Sequence, residues 1–155
     1  MNNQQPVSPE RAIENLIARY AFLVDDGDFA GLGALLDDAE FRLGTTVARG
    51  KDEVQQLART ALQTYADGTP RTRHVTTNII IDVAPDGRTA TSRAYYTVFQ
   101  QTGDFPLQAI ASGRYEDCFD RRGDTWRFTF RQVSAGLVGD VSHHRKPAPA
   151  AAGPA

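Results

Sequence analysis

The apolar positions of this chain change their period once, and that change constrains the fold more than any other feature. Between residues 13 and 65 they recur every three or four positions, and from residue 72 onward they alternate. The first pattern belongs to helices with one buried face, the second to strands with one buried and one wetter face. Helices that come first and an antiparallel meander that follows make an α+β chain rather than an alternating βαβ one.

Ser8 and Pro9 announce the first helix, a hydroxyl able to cap followed by a proline suited to the first helical position. Arg11 stands where a capping-box acid would be, so the box is partial. Ile13, Leu16, Ile17, Tyr20, Ala21 and Val24 form its apolar stripe, and Gly27 ends it. Phe22 falls on the opposite side, which suggests some extra buried surface. Asp28 caps a second, short helix in "DFAGLGALL", and "AEFRLG" reads as a short strand. "KDEVQQLARTALQTYA" is a third helix with Val54, Leu57, Ala58, Ala61, Leu62 and Tyr65 on one face and Gly68 beyond it. "HVTTNIIIDVA", "TATSRAYYTVFQQ", "PLQAIASGRYEDCFDRR" and "TWRFTFRQVSAGL" are four strands, joined through "APDGR", "TGDFP" and "DRRGDT". A curved sheet wrapped on a helix leaves a concavity, which is where a small molecule binds.

A chain of 155 residues supports one domain. Its ordered part is expected over 8–140, with residues 1–7 and the Pro/Ala-rich 141–155 as disordered ends. The formal charge is −2 with both signs interspersed, so no basic field draws nucleic acid or anionic lipid. Cys118 is the only cysteine, which rules out an intrachain disulfide and suits a reduced, cytoplasmic setting. The opening "MNNQQPVSPE" is not a secretory signal, and no run approaches the about 18 apolar residues of a membrane span. No Gly-rich phosphate loop follows a strand, so no cofactor is expected. His143 and His144 are adjacent but have no carboxylate or cysteine at ligand spacing, and "DDGD" is not a calcium loop; no metal is expected either.

"YAFLVDDGDFAGLGALLDD", "ARGKDEV", "RTRHVTTNIII" and "ASGRYEDCFDRRGDTWRFTFRQV" together resemble the SnoaL-like domain of the nuclear transport factor 2-like superfamily. Within it, the similarity is greatest to the scytalone-dehydratase-like branch, over roughly residues 10–137. The resemblance implies a cone-shaped barrel, a curved antiparallel sheet wrapped around N-terminal helices and enclosing a pocket, assembled as a homodimer or homotrimer. It does not fix an activity, because the superfamily includes dehydratases, isomerases, cyclases, epoxide hydrolases, dioxygenase small subunits and non-enzymatic binders. Two residues carry over. An Asp at the end of the first helix that orients a strand His matches Asp25, and the His matches His74. The surroundings depart from that branch: Val24 replaces a Tyr, the second pocket His falls near Phe99, and the pocket Asn falls near Arg114.

The chemistry of such a pair is direct. Histidine exchanges protons near neutrality, and a carboxylate on one ring nitrogen fixes the tautomer and leaves the other for substrate. Asp25 at a helix C-terminus is mildly unfavourable against the dipole and so needs a reason to be there. Tyr20 is either a core aromatic or a phenol donating to a substrate oxygen that gains charge. Alternation sends Tyr96 to the opposite face from Tyr95 and Phe99, and one set lines the cavity. Asn78, Tyr96, Phe99 and Arg114 are the candidate substrate contacts, while Cys118 reads as an inert strand cysteine. The resulting expectation is a cofactor-independent lyase or isomerase on a small, largely apolar, oxygenated molecule, with Asp25, His74 and Tyr20 as its machinery. The alternative is a non-catalytic ligand-binding or assembly module, similar to a dioxygenase small subunit.

Overall fold

A computed structural model describes residues 5–147, and its helical part gives way to its sheet where the apolar period changes. Helix α1 runs Pro9–Asp25, with the Ser8 hydroxyl accepting the Arg11 N–H at 3.2 Å. Ile13, Leu16, Ile17, Tyr20 and Val24 are all buried, as the stripe requires. Each such side chain contributes about 1.5–3 kcal/mol by leaving water. Helix α2, Phe29–Leu35, is capped by Asp28, whose carboxylate accepts the Gly31 N–H at 2.8 Å. Strands β1 (Glu40–Leu43) and β2 (Thr46–Arg49) form a small hairpin, of which the sequence announced only the first arm. Helix α3 follows at Gly50–Ala61, with Glu53 reaching back to accept the Arg49 N–H at 2.7 Å.

The meander is β3 (Thr72–Val83), β4 (Thr89–Thr102), β5 (Phe105–Arg122) and β6 (Thr125–Val138). The strands form one six-stranded sheet in the order β2-β1-β6-β5-β4-β3. The meander is antiparallel as expected, but β1 joins β6 in parallel, so the sheet is mixed; it is curved and not closed on itself. Helix α1 packs against β3 and β6, on the face that carries the core residues Tyr96, Ile110, Tyr115, Phe119 and Phe128. Among the described residues no helix is long and apolar enough to cross a membrane.

Two expected boundaries move, for one reason. Helix α3 stops at Ala61 instead of continuing to Tyr65, because Leu62 turns extended and bridges to Arg145. The ordered chain correspondingly runs past residue 140. Residues 141–147 form a strap across the end of α3, tied down by the Gln63 N–H to the His144 carbonyl and the Lys146 N–H to the Ala61 carbonyl, each at 2.8 Å. Helical period in "LQTY" is real but is overridden by this pairing. Of the ends expected to be disordered, residues 1–4 and 148–155 lie outside the described residues.

Candidate active site

Asp25 closes α1, and the chain then turns sharply at Gly27. Gly27 has φ +70°, and a Cβ there would stand 2.2 Å from the Gly68 carbonyl oxygen. Only glycine meets both demands. The close approach brings the end of α1 against the segment that leads into β3, which is how Asp25 reaches residues 47 and 49 positions away. The carboxylate is buried and accepts from the Thr72 hydroxyl at 2.8 Å and from the His74 backbone N–H at 2.8 Å. Its third contact is His74 Nδ1, at 2.6 Å from Oδ1. These donors answer the unfavourable placement of an acid at a helix C-terminus. A carboxylate only accepts, so Nδ1 carries the ring proton and Nε2 of the neutral ring keeps its lone pair. Among the described residues nothing hydrogen-bonds Nε2.

His74 lines a largely apolar cavity of about 80 Å³, partly open to solvent, walled by Val24, Leu32, Phe41 and Val54 among others. Tyr20, Tyr96 and Tyr115 lie along it as well. Tyr96 stacks on Tyr115 with ring centres 4.6 Å apart, and Tyr20 meets Tyr115 edge-on at 5.7 Å. Burial raises the Tyr20 phenol to about 12, with Arg131 opposing the shift, so it is a neutral donor at any working pH. Arg131 is completely buried beneath these rings, 4.2 Å from the centre of Tyr20 and 3.9 Å from that of Tyr115. It makes a two-bond fork to Asp117 at 2.7 and 2.8 Å, and Ser92 donates to the same carboxylate at 3.2 Å. Burial alone would pull the guanidinium down, but the Asp117 carboxylate holds it above its ordinary value. Beneath the cavity rings therefore lies a buried charged pair roofed by aromatics, with Arg131 Nη1 left without a hydrogen-bond partner.

The strap supplies the remaining wall. Val141, His144 and Arg145 line the cavity, with His144 only 8 % exposed and its ring 6.2 Å from that of His74. Gln100, buried on β4, donates its amide both to the Pro70 carbonyl at 3.0 Å and to the His143 carbonyl at 2.9 Å.

The model of the SnoaL-like domain family matches residues 5–132, which is most of the chain. The protein belongs to the SnoaL-like family. Solved structures share the fold. A protein of unknown function from Mycobacterium tuberculosis is 25% identical, with a TM-score of 0.68 over 82% of this chain and 71% of that one. A nuclear transport factor 2-like protein of cystatin-like fold from Novosphingobium aromaticivorans is 24% identical, with a TM-score of 0.68 over 86% and 85%. A provisionally assigned scytalone dehydratase from the same organism is 23% identical, with a TM-score of 0.66 over 84% and 86%. No curated protein matches the chain.

Set in this SnoaL-like cone, the residues singled out from sequence divide cleanly. His74, Tyr20 and Tyr96 line one cavity, and Asp25 acts on it from behind, through its contact with the His74 ring. Asn78, Phe99 and Arg114 do not, and their assignment as substrate contacts is corrected. Asn78 is exposed, has φ 55°, and sits in a bulge where the register shifts between Thr77 and Ile80. Asn is among the few side chains that tolerate this left-handed backbone, so its role is to place one extra residue in β3. Phe99 does not line this cavity; it borders another hollow with Arg71, Arg73 and Leu107, on the far side of Asp25 and Thr72. Arg114 is also outside, its guanidinium 5.5 Å from the centre of the Tyr95 ring. Of the two alternating sets, Tyr96 is the inner one. His144, Tyr115 and Arg131 were missed. Val141, the one apolar residue between Gly139 and the histidines, is the signal that the strap returns to the body.

Proposed function

We propose that this SnoaL-like protein is a cofactor-independent lyase or isomerase, of dehydratase, isomerase or cyclase type, acting on a small, largely apolar, oxygenated metabolite. One observation carries the reading: the 2.6 Å contact of His74 Nδ1 with a buried carboxylate, on a residue that lines the cavity. The arrangement has the parts that proton transfer beside a carbonyl needs. His74 Nε2 takes a proton from carbon, Asp25 orients the ring and stabilises the imidazolium, and the neutral Tyr20 phenol donates to the oxygen that gains charge. Double-bond isomerisation, dehydration and aldol-type cyclisation share that step.

The assembly-module reading keeps one supporting observation. Val75, Ile80, Tyr95, Phe99, Leu137 and Val138 are exposed apolar residues. The outer face of the sheet that presents Tyr95 and Phe99 is where self-association as a homo-oligomer would occur. Such a module has no use for a buried Asp-His pair aimed at a cavity, which is why catalysis is preferred.

The test does not require the true substrate. Small ketones incubated in D₂O with the protein lose hydrogen beside the carbonyl if His74 abstracts it, and proton NMR reads the loss directly. Exchange above background by the wild type, abolished in His74→Gln, supports the reading. Equal exchange by both proteins sinks it.

A further inference from the structure

His144 is the cavity-lining residue that the fold leaves unsatisfied. Among the described residues that line this cavity, as distinct from Arg131 beneath it, His144 alone has a buried side-chain polar atom, Nδ1, without a hydrogen-bond partner. Leaving a polar atom so placed is costly, because it has given up water without gaining a partner. The imidazole is not needed to hold the strap. That work is done by backbone groups and by other side chains: the Gln63 amide donates to the Ser142 and Arg145 carbonyls at 2.7 Å each, while Gln100 and Tyr65 both donate to the His143 carbonyl. The aromatic packing of the strap is likewise made by its neighbour, as His143 stacks on Phe105 with ring centres 4.3 Å apart.

The ring's own chemistry says which way it serves. An orphaned N–H in an apolar wall is rarer than an orphaned lone pair, which puts the proton on Nε2, the nitrogen that is not shut away. Burial, followed by the charges of His74 and Arg145, lowers the His144 pKa to about 4, so the ring stays neutral near neutrality. His74 thus offers a lone pair and His144 an N–H. Their ring centres are 6.2 Å apart along the same cavity wall, so both rings reach neighbouring atoms of one small molecule lying beside them.

We infer that His144 is a second catalytic residue, whose Nε2–H holds the carbonyl oxygen of a small neutral ketone while His74 removes the adjacent carbon-bound hydrogen. This rests on the proton-transfer reading above. The proton passes to His74 Nε2, the C–H electron pair becomes the new C=C bond, and the C=O π pair moves to the oxygen held by His144. Reprotonation at a different carbon gives an isomer. Loss of a β-hydroxyl, which takes the proton from His74 and leaves as water, gives a dehydrated product.

The test compares cyclopentanone with methylenecyclopentane, which has the same shape but a CH₂ in place of the oxygen. Binding to ¹⁵N-labelled protein is followed by NMR titration for the wild type and for His144→Leu, His144→Gln and His74→Gln. The wild type is expected to prefer the ketone at least tenfold. His144→Leu should lose fivefold or more of that preference while binding the hydrocarbon as before, and His144→Gln, whose amide still donates, should recover part of it. A preference that persists in His144→Leu but falls in His74→Gln overturns the role of His144 and leaves the Asp-His reading standing. Failure of the wild type to bind either probe overturns both.

Discussion

His74 meets Asp25 twice, through its backbone N–H to one carboxylate oxygen at 2.8 Å and through its ring Nδ1 to the other at 2.6 Å. The double contact fixes the residue's backbone and its ring from a single anchor, so orientation of the imidazole does not depend on distant packing. Removing the carboxylate in Asp25→Ala strands the His74 N–H and the Thr72 hydroxyl in a buried setting. The expected loss is about 3–5 kcal/mol of stability, read by urea unfolding. Asp25→Asn keeps the shape and should cost less stability, yet lower proton exchange by about 10²-fold or more, since an amide does not stabilise the imidazolium. Equal exchange by Asp25→Asn and the wild type would remove Asp25 from the mechanism.

Tyr20 separates the core role from the polar one by a single atom. Tyr20→Phe preserves the edge-on contact with Tyr115 and the contact with Arg131. Stability should therefore change by less than about 1 kcal/mol, whereas exchange should fall by about 10²-fold if the hydroxyl donates to the developing oxyanion. Unchanged exchange would make Tyr20 a core residue only. Asp117→Asn acts oppositely: it leaves a buried Arg131 without its counter-charge and should cost about 3–5 kcal/mol in the same unfolding experiment.

The pKa of His144 makes a prediction about acid. A histidine held below its ordinary 6.5, here at about 4, binds fewer protons folded than unfolded between those values. Stability contributed by the neutral ring is complete above pH 6.5 and is lost as pH falls toward 4, by at most about 3 kcal/mol. His144→Leu should flatten this part of the stability-pH curve, measured as the difference from wild type so that carboxylate titrations cancel. Parallel curves for the two proteins would mean that the ring is not held neutral.

Asn78 tests the corrected site. Asn78→Gly should be tolerated, while Asn78→Val, which resists a left-handed backbone, should cost about 1–2 kcal/mol. Neither should alter ketone exchange per folded molecule. A drop confined to exchange would restore Asn78 as a substrate contact.

Much of this was legible in the chain. The period change, the α1 stripe and the caps at Ser8 and Asp28 are local signals, and local physics decides them. The Asp25–His74 pair came through the family resemblance, since nothing in the spacing of two residues 49 apart brings them together. What failed needed knowledge of tertiary structure. The inward set on β3 is Thr72, His74 and Thr76 before the bulge and Ile79, Ile81 and Val83 after it, so strict alternation misplaces one half. The parallel β1–β6 pairing joins residues about 90 apart, and the strap depends on a side-chain amide far away in sequence. Polar tail composition gave no hint that its backbone carbonyls would be claimed.

Gln100 gives the two histidines a common reference. Its one amide nitrogen grips Pro70, just upstream of the residues that bond Asp25, and His143, next to the second imidazole. The two walls are cross-tied, and the gap between the rings is set by a brace rather than by each wall separately. Lifting the strap to admit a molecule larger than the cavity breaks the tie at His143 while the grip on Pro70 remains. Asp25 and His74 keep their alignment in that motion, and the Gln63, Tyr65 and Lys146 contacts re-form together with the tie at His143 when the strap returns.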